Sequence, residues 1–322
     1  NYIFAPAATW VDGSSYTVKT TGYNGALYAE PGPPLVEFRI DKTNPDTSVD
    51  YPGAGAYYSD LGAIYGGAAD PGTNPSGIKK IQLSLQRQGS PDWKYYDNVN
   101  STWTDTENWI GNEGVWWGSS WTYVVNYPTV AWQNGWNYKL KARAIDNVQG
   151  SGNVDGTPAE RIFTFDTAAA TATLTVPVNN WVYSSLAITS GTIADNNLPV
   201  AGVQLFIYDQ TAGKYWKGLE WGEPGVVEST GVTVFYSSRT FSALPADFGV
   251  AGSNAKKYTF HTKARDMAGN YQTTFSTTAF SSMTVTFDHS GPAISDLSVT
   301  DNSRQTALSS ISGKISDPND PN

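Results

Sequence analysis

The stretch YKLKARAID (138–146) decides the fold, because it occurs three times. Upstream it reads YTVKTTGYN (16–24) and downstream YTFHTKARD (258–266), at intervals of 138 − 16 = 122 and 258 − 138 = 120 residues. Apolar and polar residues alternate within it, the period-two pattern of a half-buried strand with Tyr, Val or Leu inward and Lys toward water. A strand recurring at domain-length intervals marks a tandem array.

The flanking sequence repeats in step. Just before this strand, ATWVDGSSYTVK (8–19) matches VAWQNGWNYKLK (130–141), pairing Trp10 with Trp132 and the turn Asp12-Gly13 with Asn134-Gly135. Such dipeptides make tight turns because both residues tolerate positive φ. After it, VEFRID (36–41), RIFTFD (161–166) and TVTFD (284–288) end on aspartates spaced 166 − 41 = 125 and 288 − 166 = 122. Then YGGAAD (65–70), SGTIAD (190–195) and SGKISD (312–317) end on a second aspartate set with the same two spacings. The strands IKKIQLSL (78–85) and VAGVQLFI (200–207) follow, and then YYDNVNSTW (95–103) and YWKGLEW (215–221). The expected organisation is the C-terminal part of one repeat (1–40), complete repeats at 41–165 and 166–287, and the N-terminal part of another (288–322). The two part-repeats, and a start at Asn1 without Met, read as a window cut from a longer array rather than as halves completed by a second subunit.

Composition agrees. Aromatic residues make up 13% of the chain and charged residues only 15%, with 31 Gly and 18 Pro and no long 3.6-residue apolar period. That is the signature of an all-β protein with many short strands. No apolar run approaches the ~18–20 residues of a membrane helix. A net charge of −9 disfavours nucleic acid, which needs basic clusters. The absence of Cys removes disulfides, thiolate metal sites and Cys nucleophiles, so each domain must stand on its own core. An acidic, Thr-rich, Cys-free β chain suits an extracellular or cell-surface setting.

The ordered set YWKGLEW (215–221), an Asp/Asn-Gly turn, RAID (143–146) or ARDMAGN (264–270), TFDHSGP (286–292) and SGTIAD resembles bacterial immunoglobulin-like repeats of large secreted and surface proteins. The resemblance spans essentially the whole chain. It implies sandwiches of seven to nine strands strung end to end as a fibre, sheath, stalk or adhesin, associating with copies or neighbouring repeats of the same protein. The departures are Asn24 in place of the first aspartate, an SGN three residues further from Asp146 than AGN is from Asp266, and a middle linker, DTAAAT, without proline.

Candidate chemistry follows from the recurrent residues. Asp41, Asp166 and Asp288 at the joints, Asp70, Asp195 and Asp317 after the Gly turn, and Asp146 and Asp266 in the repeated strand are either oxygen ligands for Ca²⁺ or turn caps bonding nearby N–H groups. No dense Asp-rich calcium loop accompanies them. Trp103, Trp221, Trp10 and Trp132 recur and read as core. Trp109, Trp116 and Trp117 have no counterpart and are the surface candidates, for contact with a neighbouring subunit or, in an adhesin or carbohydrate-binding segment, for stacking on surface glycans. His261 and His289 are the only histidines and belong to no triad pattern, so no enzyme activity is expected. Asn100-Ser101-Thr102 is a glycosylation sequon.

Overall fold

The computed structural model describes residues 9–88, 93–112, 116–117, 119–124, 132–196, 198–216, 220–222, 232–233, 235–237, 240–243 and 255–317, with the side chains of 112, 116–117, 124 and 232–243 outside the description. It divides into two units, Asn1–Thr167 and Ala168–Asn322. Among the described residues there is no helix, and none is long and apolar enough to cross a membrane.

In the first unit a hairpin of β1 (Ser15–Lys19) and β2 (Leu35–Arg39) comes first. Next are β3 (Asp46–Thr47), β4 (Tyr57–Tyr58), β5 (Ala63–Ala69), β6 (Ile78–Gln88) and β7 (Trp93–Asp97). Short strands follow, namely β8 (Thr102–Thr104), β9 (Ile110–Asn112), β10 (Trp116–Trp117) and β11 (Ser120–Val124). The long pair β12 (Trp136–Asp146) and β13 (Ala159–Phe165) completes the unit. One sheet runs β10-β11-β5-β3 and the other β4-β13-β12-β6-β7-β8, with β9 also on β6. All pairs are antiparallel except β13 with β4. The first strand of the sandwich is thus split between sheets on either side of the cis Tyr51-Pro52 bond.

The second unit repeats this order strand for strand. Its strands are β14 (Thr171–Val176), β15 (Val182–Tyr183), β16 (Thr189–Ala194), β17 (Val200–Asp209), β18 (Lys214–Trp216), β19 (Trp221–Gly222) and β20 (Val232–Thr233). Then come β21 (Phe235–Ser237), β22 (Thr240–Ala243), β23 (Lys257–Asp266), β24 (Ser282–Phe287) and a hairpin of β25 (Ala293–Ser295) with β26 (Lys314–Ser316). The sheets run β14-β16-β22-β21 and β15-β24-β23-β17-β18-β19, with β20 on β17 and β15 parallel to β24. Two facing antiparallel sheets with a switching first strand make each of these an immunoglobulin-like sandwich. The chain is therefore all-β and built of tandem immunoglobulin-like domains.

The repeated stretch is the central strand of the larger sheet, which explains its regular alternation. Tyr138, Leu140, Ala142 and Ala144 are fully buried, while Lys139, Lys141 and Arg143 point outward. Each large side chain buried this way contributes roughly 1.5–3 kcal/mol. Tyr138 also accepts the Gln133 N–H at 2.8 Å through its hydroxyl, as Tyr16 accepts the Val11 N–H at 3.0 Å. This closes the corner leading into the strand and satisfies the one polar atom of an otherwise apolar ring. Trp132 packs edge-on against Tyr138 in the core, and Trp103 and Trp221 are half-buried against the two cores. Trp10 is half-exposed, edge-on to Tyr16 and Phe38.

Candidate functional site

Three recurrent aspartates of the first unit meet at one end of its sandwich. Asp41 lies two residues beyond β2, Asp70 directly follows β5, and Asp146 ends β12. One oxygen of each lies within 4.8 Å of the others. Two oxygens bound to one Ca²⁺ at 2.3–2.6 Å are at most about 4.6–5.2 Å apart, so the spacing is of the order that a shared ion requires.

Each carboxylate is held by the local backbone. Asp41 accepts Thr43 N–H at 3.2 Å on Oδ1 and Ser76 N–H at 2.7 Å on Oδ2, and Asp70 Oδ2 accepts Gly77 N–H at 2.6 Å. Asp146 is fully buried; its Oδ1 accepts Val148 N–H at 3.1 Å and Asn153 N–H at 2.7 Å. Its Oδ2 accepts the Asn153 amide at 2.6 Å, and the same amide reaches the Asp41 and Thr43 carbonyls at 3.2 and 3.3 Å. The turn-capping role is thus fulfilled, and it fixes the cluster at the same time.

What the caps leave over is chemically distinctive. Asp70 Oδ1 is shut off from solvent and has no hydrogen-bond donor. Burial first, and then the charges of Asp41 and Asp146, push the Asp70 carboxyl above its ordinary value, partly offset by the Gly77 N–H and by the nearby Ser76 hydroxyl. An unsatisfied carboxylate oxygen beside two further carboxylates is costly alone and suits a hard cation.

The second unit repeats parts of this arrangement. Asp195 follows β16 and Asp266 ends β23, with an oxygen of each within 4.8 Å of the other. Asn270 donates its N–H and its amide to Asp266, each at 2.7 Å, and returns its carbonyl to the Asp266 N–H at 3.1 Å. Asn153 returns its carbonyl to Asp146 at the same distance, 3.1 Å. The sequence marks these asparagine partners only by the Gly-Asn pair that follows each aspartate, Gly152-Asn153 and Gly269-Asn270. Gly152 is required there: at φ +73° a Cβ would stand 2.6 Å from the Asp146 carbonyl oxygen.

Asp166 is buried just beyond β13, its N–H bonded to the Tyr58 carbonyl at 2.8 Å. Asp288 caps Ser290, accepting its N–H at 2.8 Å and its hydroxyl at 2.6 Å. Asp317 is half-buried after β26, and among the described residues neither it nor Asp288 joins a three-carboxylate cluster. Asn24 caps its own loop through Ala26 N–H and Tyr28 N–H, both at 3.0 Å.

Trp109 is half-buried, with the Arg143 guanidinium 3.8 Å from its ring centroid. The outward cations of β12 are all engaged in this manner: Lys139 with Trp93 and Glu160, Lys141 with Glu107, and Arg143 with Trp109 and Gln82. One face of Trp109 is therefore occupied within the fold. Trp116 and Trp117 form β10, and their side chains lie outside the described residues. His261 stands on the outward side of β23 against Phe275, and His289 stacks on Phe287. Asn100 is exposed at the β7–β8 tip and donates its amide to Asp97 at 2.7 Å.

No family model matches this chain, and no curated protein does. Among solved structures it is similar to the fibronectin(III)-like modules of Clostridium thermocellum CbhA, at 13% identity over 76% of this chain and 94% of that one, TM-score 0.35. It is similar to the FN1–FN3 domains of chicken CNTN1, at 13% identity over 86% and 76% of the two chains, TM-score 0.31. A chimeric titin Z1Z2 is similar at 11% identity over 78% and 100%, TM-score 0.26.

Proposed function

We propose that this chain is a segment of an extracellular or cell-surface structural array of the bacterial immunoglobulin-like kind, whose repeats are braced at their ends by a divalent cation, calcium by ligand type. The observation that carries the cation is the Asp41–Asp70–Asp146 cluster with its donor-less Asp70 oxygen. The array reading is supported by two sandwiches of the same strand order in which the aspartates recur in step. Asp41, Asp70 and Asp146 would supply three oxygen ligands and water the rest, giving the modest affinity of extracellular modules, ~10⁻⁴–10⁻³ M. The ion's task is mechanical. It would neutralise three carboxylates drawn from the ends of β2, β5 and β12 and so tie the entering linker to both sheets.

Calorimetric titration of the chain with CaCl₂ tests the cation. Saturable heat that is lost in Asp70→Asn is expected; a flat titration up to 10 mM, far above that affinity range, rejects it. Electron microscopy of the native assembly tests the array. Regular filaments with a domain-scale repeat are expected, and discrete flexible rods would favour a stalk or adhesin instead.

A further inference from the structure

The turn that the sequence marks as Asp12-Gly13 does more than reverse the chain. Asp12 reaches across to the linker that follows β2: its Oδ1 accepts Lys42 N–H at 2.5 Å and its Oδ2 the Thr43 hydroxyl at 2.7 Å. Lys42 answers by donating its ammonium to the Trp10 carbonyl at 2.7 Å. The other side of the turn is pressed on the next sandwich. Asn74 donates its amide to the Gly13 carbonyl at 2.8 Å, and a Cβ on Gly13 would stand 2.8 Å from the Thr73 carbonyl oxygen. Glycine is needed here twice over, for φ +69° and for this close approach.

The arrangement recurs where the chain leaves the first sandwich. Asn134, before Gly135, accepts Thr167 N–H at 2.6 Å and the Thr167 hydroxyl at 3.2 Å, both on Oδ1. The clamped amides are 167 − 42 = 125 residues apart, in step with the aspartates. The residue type changes, but the acceptor and the two donors, one amide and one hydroxyl, are kept.

We infer that the residue preceding the glycine, Asp12 in one turn and Asn134 in the other, is a clamp that locks the linker onto the sandwich it leaves, so that each joint is held by hydrogen bonds as well as by any cation. Two donors converge on one short side chain, which fixes the linker's first backbone amide against the turn. The turn is in turn fixed by the corner tyrosines, Tyr16 and Tyr138, whose hydroxyls hold the backbone at Val11 and Gln133. The linker therefore leaves in a set direction. This clamp stands apart from the cation reading, because Asp12 is not one of the three clustered carboxylates.

The test uses the full chain, spin-labelled at the exposed positions Lys19 on β1 and Lys79 on β6, in chelator so that no cation contributes. The wild-type distance distribution is expected to be narrow, to broaden in Asp12→Ala, and to stay narrow in Asp12→Asn, which reproduces the Asn134 arrangement. The Lys42 amide should exchange about tenfold faster in Asp12→Ala, the loss of one charge-assisted hydrogen bond. Thr43→Val, which removes only the hydroxyl donor, gives a milder second variant with intermediate broadening. An Asp12→Ala distribution as narrow as wild type overturns the clamp, and so does an Asp12→Asn distribution as broad as that of Asp12→Ala. Calcium titration is independent of these outcomes, so failure of the cation site and failure of the clamp are told apart.

Discussion

Replacing Asp70 by Asn should change stability in opposite directions with and without calcium. Without the ion, three carboxylates crowd within 4.8 Å. At that distance and an effective dielectric of 20, Coulomb's law gives about 3.5 kcal/mol per pair before solvent screening. Asp70 is only partly buried, so solvent screening reduces this to about 1 kcal/mol in total. Asn removes the charge, keeps an oxygen for the Gly77 N–H and gives the buried site an amide donor. In chelator the variant is therefore expected to be more stable than wild type by about 1 kcal/mol, or roughly 3–5 °C in Tm for a domain of this size. In 10 mM calcium the order reverses. An ion of ~10⁻⁴–10⁻³ M affinity adds about 1.4–2.7 kcal/mol to the wild type, and the variant forgoes most of it. Differential scanning calorimetry in both buffers reads the crossing directly. A wild-type Tm indifferent to calcium, or an Asp70→Asn protein less stable than wild type in chelator, would refute the reasoning.

Three further outcomes follow from individual contacts. Gly66→Ala would place a methyl 2.0 Å from the Ser48 carbonyl oxygen and 2.9 Å from the Trp121 ring, so a loss of about 2–4 kcal/mol is expected in denaturant unfolding, and a loss under 0.5 kcal/mol would contradict the packing. Ala255 holds φ +64° while its N–H bonds the Phe287 carbonyl at 2.8 Å, where the other two turns carry glycine; Ala255→Gly should therefore raise stability by about 1 kcal/mol, and an unchanged or lowered midpoint would count against it. Burial lowers the pKa of His261, so the unfolded chain takes up a proton before the folded one does, and the second unit should lose stability as pH falls below the ordinary value of 6.5. Urea midpoints at pH 7.5 and 5.5 should show a smaller drop in His261→Gln, whereas an equal drop would assign the effect to other groups.

The architecture was legible because it rests on patterns that a chain cannot hide. A strand buried on one side must alternate; β23 does so over its ten residues and β12 from Asn137 to Ala144. The aspartates were legible as positions but not as roles. A cap and a ligand use the same carboxylate, and Asp146 shows why the choice offered by sequence was not exclusive: its backbone bonds are what aim it. The asparagine partners were obscured by loop length, since 153 − 146 − 1 = 6 residues separate one pair and 270 − 266 − 1 = 3 the other. The clamp was hidden by a sufficient local explanation: Asp-Gly already accounts for a tight turn, so nothing in the dipeptide points to Lys42. That one face of the surface candidate Trp109 is covered could not be read from the sequence, because its partner, Arg143, is 34 residues away on another strand, by 143 − 109.

The absence of cysteine gives these polar contacts a further meaning. In antibody domains a disulfide joins the two sheets through the core; this chain must join them otherwise. In the first sandwich the single Thr47 hydroxyl proton is shared between the Ala142 carbonyl of the other sheet at 2.8 Å and the Asp155 carboxylate at 2.7 Å, and Asp155 N–H bonds the Ala144 carbonyl at 2.9 Å. In the second, the Gln272 side chain takes Ala172 N–H at 2.8 Å and Ala264 N–H at 3.3 Å and donates back to the Ala172 carbonyl at 3.3 Å. Asp155 and Gln272 are both buried and follow equivalent bridges, Ile145 with Val154 and Arg265 with Tyr271. Each such bond contributes only about 1 kcal/mol net, yet a buried partner left unsatisfied costs about 1–3 kcal/mol. A sliding of one sheet over the other would leave several unsatisfied at once. These pins therefore oppose shear of the sandwich chiefly through the penalty for misalignment. The proposed array would draw on that resistance along its length, and the inferred clamps would extend it from the first sandwich to its linkers.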